Sequence, residues 1–383
     1  MRPFVLIGPS HPFRGGVAHH TTLLYRHLAA RHPVTFYTFR RQYPAWLFPG
    51  RSDRDPSAEP LREPGVEAVL DSLDPRTWVD VYRRIRRARP TLVIVPWWTS
   101  FWTPHVWGLA MLLRRLPETR TLAICHNVVD HEARPWSRAC ARLALARADH
   151  CLVHSAEDAA RLRALVPTAR ITVGFHPRYE FARAGLVEPA EARARLGLSG
   201  ETILFFGFVR PYKGLVHLLE AMPRIRAERP VTLLVVGEFW DGTARFDARV
   251  RALGLEQAVR VVDRYVPNEE VGLYFAAADL VVLPYVAGTA SGVVQLAYGL
   301  DRPVVATRVG ALAEVVEDGV TGFLVSPGRP EELARAVLRF FAEGRAAEFA
   351  ANIRRYRARY SWERLVDLID VIAAGAPAPA VGP

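Results

Sequence analysis

Short apolar runs alternate with amphipathic stretches along the first half of the chain. Phe4 to Gly8, Val34 to Phe39, Leu92 to Pro96, Leu122 to Cys125 and Cys151 to His154 predict strands. Val17 to Arg31 and the basic stretch Trp78 to Arg89 carry helical spacing, and the Pro-, Arg- and Asp-rich stretch 41–65 reads as a long loop. The same alternation restarts near residue 202. Strands are predicted at Ile203 to Gly207, Leu233 to Gly237, Val259 to Val262, Leu280 to Pro284 and Val304 to Thr307, with helices such as Leu215 to Arg229 and Pro330 to Glu343 between them. Apolar strands separated by helices imply parallel sheets covered on both faces, whose ligands bind beyond the carboxyl ends of the strands. The segment Pro177 to Gly200 separates the two runs. A last helix, Trp362 to Ala373, precedes an Ala/Pro/Gly tail whose composition predicts disorder.

Length agrees with two cores, because 383 residues exceed one ordinary domain. Half of the residues are hydrophobic, as in a folded globular protein. Cys125, Cys140 and Cys151 are odd in number and form no C-x-x-C pair, so neither a disulfide framework nor a zinc site is expected. Only five apolar residues precede Pro9, too few for a signal peptide, and a cytoplasmic protein is expected. Thr91 to Leu113 lacks charge over a length that could cross a bilayer. Pro96, Pro104, Gly108 and His105 within it favour a buried strand plus an aromatic helix. The net charge of +11 is carried almost wholly by arginine, and Lys213 is the single lysine. A compact ammonium surviving in so arginine-biased a chain draws attention to its surroundings.

Lys213 lies in Phe205-Phe206-Gly207-Phe208-Val209-Arg210-Pro211-Tyr212-Lys213-Gly214, where an apolar strand ends in glycine and two cations stand three residues apart before a helix. A departing diphosphate needs cations and helix amides of this kind; an ordinary turn with solvated charges is the alternative. A Walker A loop is excluded, because the second glycine and the Ser/Thr after the lysine are missing. The first strand-to-helix turn, Gly8 to Val17, contains Gly15-Gly16, which permit close approach of a phosphate or sugar, or serve only the turn. His126-Asn127 follows an apolar run and offers an imidazole at a strand's carboxyl end; a capping histidine is the competing reading. His126, Asp130, His131 and Glu132 crowd together without H-E-x-x-H, so no metal site is predicted there. Gly288 to Gln295 is a small-residue loop entering a helix, suited to an anion, and Ser291 lacks the G-x-S-x-G context of a hydrolase nucleophile. The stretch from Arg302 to Gly322 reads as packing scaffold with a hairpin-like turn. Asp53-Arg54-Asp55 is formally D-x-D but reads as a solvated charge run.

In order along the chain, these segments resemble the family-4 retaining glycosyltransferases of the GT-B fold, from Gly15-Gly16 to the Ser361-Trp362 helix and most strongly from Leu204 to Pro327. The resemblance implies two Rossmann-like doubly wound α/β domains facing a cleft. Residues 1–180 would bind the acceptor and 181–360 the nucleotide sugar; a helix at 361–375 would cross back, followed by a tail at 376–383. It implies that Gly15 and Gly16 lie near the donor phosphates and His126 near the transferred sugar. Arg210 and Lys213 would hold the diphosphate beside Gly207, and Glu238, Phe239, Tyr265 and Val266 would line the base and ribose pocket. Ser291, Gly292, Val293 and Gln295 would complete the donor site. It further implies transfer with retention and without metal or cofactor, to a glycan or lipid-linked acceptor and with no nucleic-acid partner.

Two departures stand out. Phe208 fills the usual arginine position, with Arg210 two residues later. The E-x7-E pair falls on Gly288 and Leu296, leaving Gln295 to inherit one role if the register shifts by one. The phrases around 205–214 and 291–298 resemble enzymes of bacterial surface polysaccharide assembly. Two other readings stay open, a nucleotide-sugar epimerase of the same architecture and a catalytically degenerate binding or scaffold subunit. Trp97, Trp98, Phe101, Trp102 and Trp107 beside Arg83, Arg84, Arg86, Arg87, Arg114 and Arg115 suit peripheral contact with an anionic membrane, or else a core strand next to a solvated helix.

Overall fold

A computed structural model describes residues 2–376 apart from 49, 131, 133, 180 and 290, so the tail expected beyond Ala376 and the position of His131 lie outside the described residues. The chain forms two compact units. Unit 1 runs through Phe175, without Pro56–Glu59, and resumes at Ser361; unit 2 holds Pro56–Glu59 and His176–Tyr360.

In unit 1 the strands are β1 (Phe4–Ile7), β2 (Val34–Arg41), β3 (Val66–Asp71), β4 (Leu92–Trp97), β5 (Arg120–Cys125), β6 (His150–Val153) and β7 (Ile171–Val173). They form one parallel sheet in the order β3-β2-β1-β4-β5-β6-β7. Its helices are α1 (Gly16–Ala29), α2 (Pro75–Ala88), α3 (Thr103–Leu113), α4 (Ser137–Leu145) and α5 (Ala156–Leu165). Because helices cover both faces, the central strands are apolar throughout, and Val5, Leu6, Ile7, Val93 and Ile94 are wholly buried.

Unit 2 repeats the plan with β8 (Thr202–Phe206), β9 (Thr232–Val236), β10 (Val259–Val262), β11 (Leu280–Leu283), β12 (Val304–Thr307) and β13 (Gly322–Val325), in the order β10-β9-β8-β11-β12-β13. Its helices are α6 (Pro189–Leu196), α7 (Leu215–Glu228), α8 (Ala244–Ala252), α9 (Asn268–Ala277), α10 (Gly292–Gly299), α11 (Leu312–Val315), α12 (Pro330–Glu343) and α13 (Ala346–Tyr356). The final helix, α14 (Trp362–Ala374), belongs to unit 1. It packs on α1 through Trp362 stacked on His27 at 5.6 Å, and through His32 Nε2 at 2.8 Å from an Asp370 carboxylate oxygen. In both sheets the strand order reverses once, between β1 and β4 and between β8 and β11, the place where ligands bind in sheets of this kind.

Two expectations, the hairpin-like turn and the solvated charge run, are corrected, and the aromatic run follows its buried-strand reading. The hairpin-like stretch before Gly322 instead delivers β13, an edge strand parallel to β12 with Val304 opposite Gly322, where a β-carbon would stand 1.8 Å from Val304 O. The aromatic run after Pro96 is largely core. Trp97 and Trp102 are each 1 % exposed, and the Trp98 and Trp102 indoles both donate to the Tyr43 hydroxyl at 3.1 Å, leaving Trp107 as the exposed tryptophan of that run. Asp53-Arg54-Asp55 is solvated only in part, with Arg54 exposed and Asp55 covered. Arg54 bridges Phe13, Arg14 N donates to Asp53 O, and the Asp55 side chain is 3 % exposed beside His19. Among the described residues, no helix is long and apolar enough to cross a membrane.

Candidate functional site

Unit 2 assembles its site at the reversal point. β8 ends at Phe206, and Gly207 turns the chain with φ +98°, a conformation that favours glycine. The next residues are held by their neighbours. Val209 N donates to Glu238 O at 2.9 Å, and a β-carbon on Gly237 would lie 2.0 Å from Gly207 O, so the loops after β8 and β9 run in contact. Pro211–Lys213 makes one short helical turn that Gly214 ends at φ +66°, with no room for a β-carbon against Pro284 O. Val286 N donates to Tyr212 O at 2.8 Å, which ties this loop to the one after β11.

The two cations differ in surroundings. The Arg210 guanidinium lies over the Trp240 ring, 4.6 Å from its centroid, and Phe208 packs between Trp240 and Tyr265. Lys213 is buried, and its Nζ makes no hydrogen bond or ion pair among the described residues; it lies over the Tyr285 ring, centroid at 5.6 Å. Burial without a counter-charge pulls its pKa down to about 8. A buried ammonium held without a carboxylate is costly in the ligand-free protein and becomes favourable when an anion arrives.

The start of α10 lies against the same corner. Val293, in the first turn of α10, and Lys213 Nζ both approach Gly207, at 3.4 and 3.0 Å from where its β-carbon would stand. Ser291 caps α10 and lies 3.3 Å from the Tyr285 hydroxyl. Gly292 abuts the Tyr179 ring, and Gln295 is fully buried with a side-chain amide that makes no hydrogen bond among the described residues. Gly310 and Ala311 fix the loop before α10, since Ala311 N donates to Thr289 O at 2.9 Å. Glu238 is buried, Phe239 N donates to Asp263 Oδ1 at 3.0 Å, and Val266 is buried beside partly open Tyr265. Lys213 and Val293 thus meet at Gly207, while Arg210 lies over Trp240, which Phe208 joins to Tyr265 along the β9 and β10 ends. Sequence reasoning gave neither Trp240 nor Tyr285 a role, because an aromatic in a loop has no spacing that marks it.

In unit 1 the turn after β1 opens into α1. Gly15 (φ +104°) and Gly16 have no neighbouring atom within 4 Å of their β-carbon positions, so open space stands over that face of the turn. His126 follows β5, its N–H donating to Trp97 O at 2.8 Å, and is buried. His154 follows the neighbouring strand β6, and His20 lies one turn into α1; the ring nitrogens of His20, His126 and His154 lie within 4.8 Å of one another. The spacing 20, 126, 154 carries no motif, and only the sheet order brings them together. Asp130, grouped with His126 in sequence, is engaged elsewhere: it accepts from Ser100 N at 2.9 Å and from the Ser137 hydroxyl at 2.8 Å.

Comparison with known proteins places two profiles on the chain. The one described as Glycosyltransferase Family 4 matches residues 14–174, and Glycosyl transferases group 1 matches residues 200–343. A D-inositol 3-phosphate glycosyltransferase of Rhodococcus jostii (strain RHA1) is 34% identical over 229 residues, 57% of this chain and 48% of that protein. D-inositol 3-phosphate glycosyltransferase 1 of Catenulispora acidiphila is 32% identical over 266 residues, 64% of this chain and 63% of that protein. The match to the first of these relatives spans about half of its length. Among solved structures, sucrose-phosphate synthase from Thermosynechococcus elongatus has a TM-score of 0.72 at 21% identity, covering 98% of this chain and 100% of that one. Anabaena Alr3699/HepE in complex with UDP-glucose has a TM-score of 0.70 at 18% identity, covering 97% and 99%. These likenesses show the GT-B fold.

Proposed function

Because the chain belongs to the family-4, group 1 glycosyl transferases, we propose that it transfers a sugar from a nucleoside diphosphate sugar to an acceptor, with retention and without a metal ion. The buried, uncompensated Lys213 carries this reading: its ammonium, the guanidinium of Arg210 and the amides opening α10 suit the charge that grows on a departing diphosphate. Gly207 lets the phosphates reach that corner, and the border formed by Glu238, Phe239, Tyr265 and Val266 would take the base and ribose. Ser291, Gly292 and Gln295 would sit along the donor, Gln295 using its amide where the family has a carboxylate.

Gly15, Gly16 and His126 are assigned to the donor phosphates and sugar. Departure of the diphosphate leaves an oxocarbenium-like sugar, and the acceptor oxygen bonds to the same face as its proton leaves toward the diphosphate. The relatives' named substrate makes a phosphorylated polyol one acceptor to try, beside lipid-linked glycans.

Membrane contact would use α2, α3 and α4. Trp107 and Met111 of α3 and Trp136 and Leu143 at α4 are exposed, with Arg83, Arg86 and Arg87 of α2 nearby in sequence order and in packing of the three helices. An open cavity of about 800 Å³ is lined by Arg86, Arg87, Arg89, Thr119 and the Glu118 carboxylate, three cations against one anion for a headgroup to meet. This fits a role at the inner membrane face in surface polysaccharide or glycolipid synthesis.

The test is a panel of UDP-, GDP- and ADP-sugars against lipid-linked and inositol-phosphate acceptors, with product anomers read by NMR. Acceptor-dependent transfer with retained configuration supports the reading. Isomerised free nucleotide sugar, or no turnover of any donor, contradicts it.

A further inference from the structure

Three imidazoles meet beneath the carboxyl end of the unit 1 sheet, and we infer that His20, His126 and His154 form a binding site for a borderline divalent transition-metal ion of the zinc class. Each comes from a different element, so their meeting is a property of the fold. Cys125 pairs with Val153 across β5 and β6, and continuing that register sets His126 directly opposite His154 on parallel neighbours, where facing residues project to the same side. His20, in the second turn of α1, closes the group from the helix layer.

The spacing matches an ion's requirement. A zinc-to-nitrogen bond of about 2.0–2.1 Å and tetrahedral angles put the ring centroids of two bound imidazoles roughly 5.2 Å apart. The observed centroid separations are 4.6 Å for His20–His126, 5.2 Å for His126–His154 and 5.9 Å for His20–His154, and none of the pairs is stacked. With every ligand nitrogen within 4.8 Å of the others, small χ rotations bring them into range.

The ligand set selects the ion. Three neutral imidazoles favour zinc, cobalt, nickel or copper over magnesium and calcium, which want oxygen. All three rings are buried, and Trp362 lies against His20 at a centroid distance of 5.1 Å, giving the shell an aromatic wall. Three protein ligands leave the fourth position to water. The inference does not depend on the transferase reading, although it shares His126 with it.

The experiment uses the full chain stripped with chelator and titrated with Co²⁺, then with Zn²⁺. One equivalent of Co²⁺ is expected to give visible ligand-field absorption that Zn²⁺ bleaches, and Zn²⁺ at a hundredfold excess over Kd to raise Tm by about 5 °C. His20→Gln and His154→Gln should each abolish both signals. On the wild type, the three imidazole side chains should be the histidines whose ¹H–¹⁵N resonances move with zinc, a readout that stands if a variant fails to fold. No cobalt absorption and no zinc-dependent shift in the wild type, or zinc binding that both variants retain, overturns the site.

Discussion

The Nζ of Lys213 stands 3.0 Å from the point where a β-carbon on Gly207 would lie, so the glycine that ends β8 and the chain's single lysine define one corner between them. Gly207→Ala should disturb that corner twice. It forces φ +98° on a residue with a side chain, at about 1–3 kcal/mol, and it presses the ammonium away from its place. We expect a folded protein with a lowered Tm and transfer reduced by about tenfold or more. Steady-state kinetics beside a melting curve will check this; wild-type turnover would contradict it.

Lys213→Ala should reduce kcat by about 10²–10³-fold, because the lost charge matters most as the diphosphate departs. The same substitution should leave Tm equal or raised, since a buried ammonium without a carboxylate partner costs stability in the ligand-free state. A severely destabilised variant would show that the lysine's role is structural.

The pH dependence follows from the same burial. In the free protein Lys213 loses its proton around pH 8, whereas an unfolded lysine keeps it to about 10.4. Between those values the unfolded chain binds more protons, so this group's contribution makes folding stability rise with pH across that window. Diphosphate binding works in the opposite direction. It favours the charged form and raises the pKa, so binding should take up a proton near pH 8.5 and weaken as pH climbs further. Calorimetry in buffers of different ionisation enthalpy measures that uptake directly, and Lys213→Ala should remove it.

The alternation of apolar runs announced both doubly wound units, and most strand ends fell within two residues of their places because fully apolar strands flanked by glycine or proline leave little choice. β3, β7 and β13 have no clear mark in the sequence. β3 reads VEAVLD, with an outward glutamate on a strand near the sheet edge, and β7 has three residues. The corner proposed to hold the diphosphate is local in sequence, spanning Gly207 to Lys213 in one loop. The contacts that complete it are not, because Val293 and Tyr285 arrive from the neighbouring strand's loop. The same reason hid the histidine cluster: only the β5–β6 register brings residue 126 beside 154. Asp55 was misjudged since composition alone cannot show that a charged loop folds back over the Gly8–Gly16 turn.

Transfer should proceed at an unchanged rate in the presence of chelator. In the proposed site Lys213, Arg210 and the α10 amides would take the part an ion plays at a diphosphate. Rate measurements with and without chelator check this. Loss of activity that magnesium or manganese restores would contradict it and direct attention to Asp53 and Asp55.

Anionic vesicles should sediment the protein at low salt and release it at high salt. Each arginine near the surface contributes about 1 kcal/mol, and screening weakens the sum as ionic strength rises. Arg86→Glu with Arg87→Glu, or Trp107→Ala, should shift the release to lower salt. Binding that the substitutions leave unchanged would place the contact elsewhere.

Hydrogen exchange with and without a nucleoside diphosphate bears most directly on the central claim, that the donor's diphosphate is held between the loop after β8 and the start of α10. The account predicts slowed exchange in peptides covering 207–214 and 288–295, abolished by Lys213→Ala. Slowing confined to residues before 180, or none at saturating nucleotide, would contradict it.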